Sequence, residues 1–167
     1  MEEFREALEA YIAQGNKGHL PLYQGQLAEF EAEGQDVEAA LARIDAALSR
    51  ARETGEHWTD AFLHHIRGEV LLKRDQTNVA PAEEAFLTAI AIAQQQKAKC
   101  FELRAALSLA KLYQSTGRAA NAHAVLAPAL EGFSPTPEFL AVAEAQVLLD
   151  TLAEDVGKQQ ARASQRS

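Results

Sequence analysis

His57, Asp60 and His64 stand at i, i+3 and i+7, with His65 beside them. On a helix that spacing puts two imidazoles and a carboxylate on roughly one face, which is ligand chemistry for a divalent metal. The simpler reading is stronger: His57 sits near a helix start, and Asp60 is a first-turn acid favoured by the helix dipole. Acids also recur in groups, at Glu2–Glu3, Glu29–Glu31–Glu33 and Glu83–Glu84. General acid/base work needs two carboxylates in a closed pocket with their proton affinities pushed apart, whereas acids on a charged helix face are ordinarily just solvated. Glu83 and Glu84 follow Pro81 at a helix start, where the dipole already accounts for them. Cys100 lies where two helices meet, beside Lys97 and Lys99. Nearby positive charge activates an exposed thiol, but no general base stands near, so a small buried apolar role is expected. The chain contains no GxxxxGKS, GxxxxGKT, GxGxxG, CxxC, HExxH or GxSxG. It therefore lacks the strong signals for phosphate loops, zinc sites and nucleophile elbows. No catalytic residue, metal or other cofactor is expected, and the chain is not expected to be an enzyme.

Composition narrows the remaining classes. The net charge is −8, and up to Glu56 the chain carries 12 acids against 5 bases. Such a chain is repelled by nucleic acid and by anionic lipid, so neither is an expected partner. After Gly157 the only charges are Lys158, Arg162 and Arg166. The start, MEEFRE, lacks the basic and apolar regions of a secretory signal. No apolar run is long enough to span a bilayer, and the single cysteine permits no internal disulfide. A cytoplasmic protein is expected.

The elements that must position any site are helices. Alanine is abundant, while Gly and Pro are sparse and fall at boundaries, as a helical chain requires. Phe4, Leu8, Tyr11 and Ile12 form one stripe of a first helix that ends at Gly15–Gly18. Further helices are predicted over about 20–33, 37–52, 58–73, 81–96, 101–115, 119–130 and 138–153. The stretch Gly132–Pro137 breaks the chain, and residues 157–167 are expected to form a disordered tail. One helical domain is expected over 1–156. Trp58, Phe62, Phe86, Phe101 and Tyr113 are expected in its core, where truncating a buried aromatic costs about 3–5 kcal/mol.

A repeat underlies the helices. Ala40, Ile44 and Ala47 share a small–large–small spacing with Ala82, Phe86 and Ala89, and again with Ala122, Leu126 and Ala129. Ala28, Gly68 and Ala110 hold the matching small position on the preceding helices, at intervals of 40 to 42 residues. Small residues let two helices approach closely, and the large one fills the gap. A single hairpin cannot bury its apolar face, so the units must stack.

The stretch ALSLAKLYQSTGRAANAHAVLAPAL resembles a tetratricopeptide repeat, with Leu109, Ala110, Tyr113, Gly117, Ala122 and Ala129 at the consensus positions. More broadly, GEHWTDAFLHHIRGEVLLKRD, FELRAALSLAKLY and VLAPALEGF resemble the C-terminal region of bacterial signalling proteins. In that family a class III adenylate/guanylate cyclase domain and an ATPase module precede such repeats. This chain carries neither module, so no catalytic residue is implied. The resemblance implies an all-α fold of helical hairpins stacked as a short right-handed tetratricopeptide-like solenoid, acting as a scaffold for protein–protein contact. It also implies a partner in the cyclase/ATPase machinery or a regulator upstream of it. The first helix of each hairpin would line a concave groove. With Gly68 and Ala110 as packing positions, the groove face would hold Phe62, His65, Glu69 and Leu72, then Arg104, Leu107, Lys111 and Gln114. Arg104 and Lys111 flanking Leu107 would suit an acidic peptide; the plain alternative is that they solvate a helix face and pair with Glu102 or other acids. Two alternatives stay open. The first helix, half of a hairpin, could pair with another copy to form a homo-oligomer. The chain could also be a regulatory fragment of an enzyme.

Overall fold

The computed structural model describes residues 2–16, 18–134 and 139–164, of which 155–164 are described by backbone alone. Among the described residues there are eight α-helices, one short 3-10 turn and no strand. They are α1 (Glu2–Ala13), α2 (Leu20–Glu33), α3 (Val37–Thr54), α4 (Asp60–Arg74), α5 (Ala80–Gln96), α6 (Lys99–Ser115), α7 (Ala119–Leu130) and α8 (Leu140–Ser164). The all-α expectation holds.

Helix ends follow from local chemistry. In α1, α2, α5 and α6 an N–H reaches back five residues to close the last turn: Asn16 to Tyr11, Asp36 to Glu31, Ala98 to Ala93 and Arg118 to Tyr113. This closure needs a left-handed residue just before the donor. Gly15 and Gly117 supply it without strain, at φ 80° and 76°. In the other two closures Gln35 and Lys97 take that conformation, at φ 69° and 56°, which costs a non-glycine residue about 1–2 kcal/mol. Gly34, which reads as the stop of α2, is not the left-handed residue. Asp36 then starts α3 by accepting a hydrogen bond from the Ala39 N–H at 3.3 Å, the usual role of an N-cap acid.

Two boundaries differ from expectation. Trp58 belongs to the 3-10 turn His57–Thr59, ahead of α4. It therefore lies off the helix's buried face; it is 44% exposed, and its ring meets the His19 ring edge to face. It is not the core residue its aromatic character suggests. At the other end α8 runs through Ser164, beyond the expected stop near Ala153 and into the segment from Gly157 expected to be a disordered tail. That stretch is rich in Ala, Gln, Lys and Arg, all good helix formers, and its one glycine costs only about 1 kcal/mol. Residues 135–138, where the eighth helix was expected to begin, and 165–167 lie outside the described residues.

The chain divides into two compact units, Met1–Ile92 and Ala93–Ser167. In the first, α2, α3 and α4 each pack against the other two, and α1 lies against α2. In the second, α6, α7 and α8 pack in the same mutual way. The small–large–small positions explain this closeness. All nine are buried, as are Ala28, Gly68 and Ala110 opposite them. Gly68 shows how tight the fit is: a Cβ there would come within 2.4 Å of the Phe86 ring. Phe62, Phe86 and Tyr113 are buried as expected, and Phe101 is half-buried.

Candidate partner-binding surfaces

The metal-like spacing at the start of α4 holds a close His–Asp contact. His57 Nδ1 lies 2.8 Å from Asp60 Oδ2, across the 3-10 turn. His64 is separate in character, because burial lowers its pKa below the ordinary 6.5, outweighing the opposing pull of Asp60. Among the described residues no three His, Cys, Asp or Glu side chains come together as a metal site. Cys100 is exposed rather than buried. It sits in the first turn of α6, and the apolar side of that turn is taken by Leu103 and the half-buried Phe101.

The face of α4 expected to line a groove is largely closed. Phe62 and His65 are buried, and the His65 ring lies 6.0 Å from the Phe86 ring of α5. Its Nε2 is 3.7 Å from Glu69 Oε1, an ion-pair distance but too long for a hydrogen bond. Glu69 and Leu72 are partly exposed. The reason is periodicity. His65 and Leu72 stand at i−3 and i+4 from Gly68, so they share its packing face.

The same holds on α6. Leu107, at i−3 from Ala110, is buried. Arg104 and Gln114 are partly exposed, and Lys111 is exposed. Lys111 Nζ lies 2.7 Å from Glu144 Oε2 of α8, and Arg104 has an interaction of its own. The expected pair of cations flanking an open apolar residue is therefore not assembled: the leucine is inside, and Lys111 is already matched by an acid of the same unit.

Buried ionisable groups elsewhere join helices. Glu31 of α2 is held by Arg43 of α3, through bonds of 2.8 and 2.7 Å, and by Arg5 of α1 at 3.3 Å. The bidentate Arg43 fork is the strong form of this contact, and it raises the Arg43 pKa. Glu102 of α6 accepts from Gln94 at 3.0 Å and pairs with Lys99 at 2.9 Å.

An open concave feature of the first unit lies between α1 and α2. Phe4, Ala7, Leu8, Tyr11 and Tyr23 line a cavity of about 180 Å³. Volumes of this order hold one benzene-sized group. Tyr11 and Tyr23 meet edge to face, and the Tyr11 hydroxyl donates to the Gly18 carbonyl at 2.9 Å. The Tyr11 hydroxyl is thus committed to the backbone, and the groove lining is mostly carbon. Phe4 packs edge-on against Phe30, which is itself exposed, as is Ile12. The apolar stripe of α1 was legible in the sequence, but Tyr23 was not: it lies on α2 and joins the groove only through the α1–α2 contact.

Among the described residues no helix is long and apolar enough to cross a membrane. No family model, no curated protein and no solved structure matches this chain.

Proposed function

We propose that this protein is a non-catalytic interaction scaffold of the tetratricopeptide kind, and that it docks a partner protein segment by an apolar anchor in the α1–α2 groove. The groove itself carries the reading. It is open, concave and lined by aromatic and aliphatic carbon, the chemistry of a pocket for an anchoring side chain. The buried acids point the same way, since Glu31 and Glu102 are both committed to ties between helices. The repeated hairpins serve as the rigid support, which reduces the ordering cost of docking. The resemblance to the region that follows cyclase and ATPase modules supplies a context, docking within a bacterial nucleotide-cyclase signalling system in the cytoplasm. The stacked right-handed solenoid belongs to the same proposal.

A photo-crosslinking amino acid at position 7, an exposed site on the groove wall, tests this in cells. The expected result is a discrete protein adduct from position 7 and none from position 114 on α6. Adducts from position 114 alone would overturn the groove reading in favour of the α6 face.

A further inference from the structure

We infer that the partner segment held by the α1–α2 groove is basic: one aromatic or branched aliphatic anchor, with lysine or arginine displaced toward the Phe4 end of the groove. The inference rests on the groove reading above and names the chemistry of its occupant. The first observation is a local excess of acid. Helix α1 carries four acids and α2 three, against one base between them. By contrast α3 carries three of each, and α4 two acids and three bases. Glu2, Glu3, Glu6, Glu9 and Glu33 are all exposed. The one base, Arg5, is turned to the buried Glu31, which Arg43 also holds.

The excess has a direction. The two helices run antiparallel, since Phe4 meets Phe30 at one end and Tyr11 meets Tyr23 at the other. Glu3 stands one turn before Ala7, a residue of the groove wall, and Glu33 one turn after Phe30. Both helices thus bring acid to the Phe4 end. Residues 12–22, which join Tyr11 to Tyr23, contain no acid. The Phe30 ring, 44% exposed at the acidic end, offers a surface for the stem or head of a cation that reaches an acid beside it.

Cavity and charge then choose the occupant together. The cavity of about 180 Å³ takes one anchoring side chain and by itself makes no demand on charge. The acids decide which anchors arrive. Charge of one sign around a site raises the local concentration and association rate of the opposite sign and turns away its own. An acidic segment is therefore disfavoured, and so is a second copy of this chain, whose net charge is −8. The preference is opposite in sign to that of the α6 face, where Arg104 and Lys111 would suit an acidic peptide.

Selection of peptides from a displayed random library on the full chain is the test, with Ala7→Glu as the counter-target and circular dichroism to confirm that each variant is folded. Ala7 is exposed on the groove wall, and a glutamate there removes apolar anchoring while keeping the sign of the rim. The expected peptides combine an apolar anchor with lysine or arginine on one side of it. They should bind Ala7→Glu about tenfold more weakly than the wild type, as for loss of an anchor contact. For these peptides the double change Glu3→Lys/Glu33→Lys should slow association about tenfold at low salt, and the difference should shrink at high salt. Groove-dependent peptides that are neutral or acidic, or association unchanged by the charge reversal, would overturn the inference and leave the groove reading standing. Concentration-dependent sedimentation of the wild type that Ala7→Glu abolishes would give the groove to a second copy and overturn it as well. Peptides that bind Ala7→Glu as tightly as the wild type, or no binders at all, would remove both readings.

Discussion

The two three-helix groups, α2–α3–α4 and α6–α7–α8, share one packing plan and hold it with different chemistry. In the first unit a buried acid spans three helices: Glu31 reaches Arg43 of α3 and Arg5 of α1. In the second, Glu102 joins only the end of α5 to the start of α6, through Gln94 and Lys99. The buried side of α6 is apolar, with Leu103, Ala105, Ala106, Leu109 and Ala110 all fully buried, and its charged tie to α8, Lys111 to Glu144, lies at the surface. The close-approach positions differ as well. Gly68 faces Phe86, whereas by register Ala28 stands opposite Ile44 and Ala110 opposite Leu126. The largest side chain is matched with the smallest partner. The repeat conserves the summed volume of each pair rather than the residues, which is what a close-packed interior requires.

That volume rule can be broken and then repaired. Phe86→Ala is expected to cost about 3–5 kcal/mol, the largest single effect, because it empties a fully buried site. Gly68→Ala should cost about 1–3 kcal/mol through overpacking against the ring. The double change Gly68→Ala/Phe86→Leu recreates the Ala–Leu combination of the third hairpin. Urea denaturation should find it more stable than the sum of its single changes predicts, a coupling expected for residues in contact. Strict additivity would show that the two positions do not share one space.

The charged clamp is the next place to press. Glu31→Gln should cost about 1–3 kcal/mol, less than the loss of a fully buried pair, because Arg43 and Arg5 are partly exposed and can rehydrate. The same measurement on Lys111→Glu should show about 0–1 kcal/mol, since its pair with Glu144 is a surface one. Equal costs would erase the distinction drawn between the two units.

A smaller effect concerns pH. The His64 pKa is lowered in the folded chain, chiefly by burial. Below 6.5 the unfolded chain therefore binds more protons at this site than the folded one. The stability His64 contributes is fully present above 6.5 and is lost as pH falls through the folded value. Thermal denaturation should show a shallower decline across this acidic range for His64→Gln than for the wild type. A steeper decline in the variant would contradict the sign of the shift.

Much of the fold was legible because its signals are local. The bounds of α2 and α7 follow directly from Gly34 and from Gly117 with Gly132, and the small–large–small spacing marks the buried side of α3, α5 and α7. The binding faces were harder, for a physical reason. A small residue marks a packing face, but residues three and four positions away share that face, so His65 and Leu107 went inside with Gly68 and Ala110. The aromatic character of Trp58 misled in another way, since it says nothing about whether the helix has begun. Tyr23 and Phe30 sit on a helix whose apolar residues surround it on several sides, so only the α1–α2 contact reveals their role. The partner of Lys111 lies 33 positions away, beyond the reach of any local pattern.

The central claim is that partners are held by the apolar α1–α2 groove and not by the charged face of α6. Affinity retention of partner protein, compared between Ala7→Arg and the double change Arg104→Glu/Lys111→Glu, tests it most directly. Loss with Ala7→Arg and wild-type retention with the double change is the predicted result. Loss with the double change and wild-type retention with Ala7→Arg would contradict it.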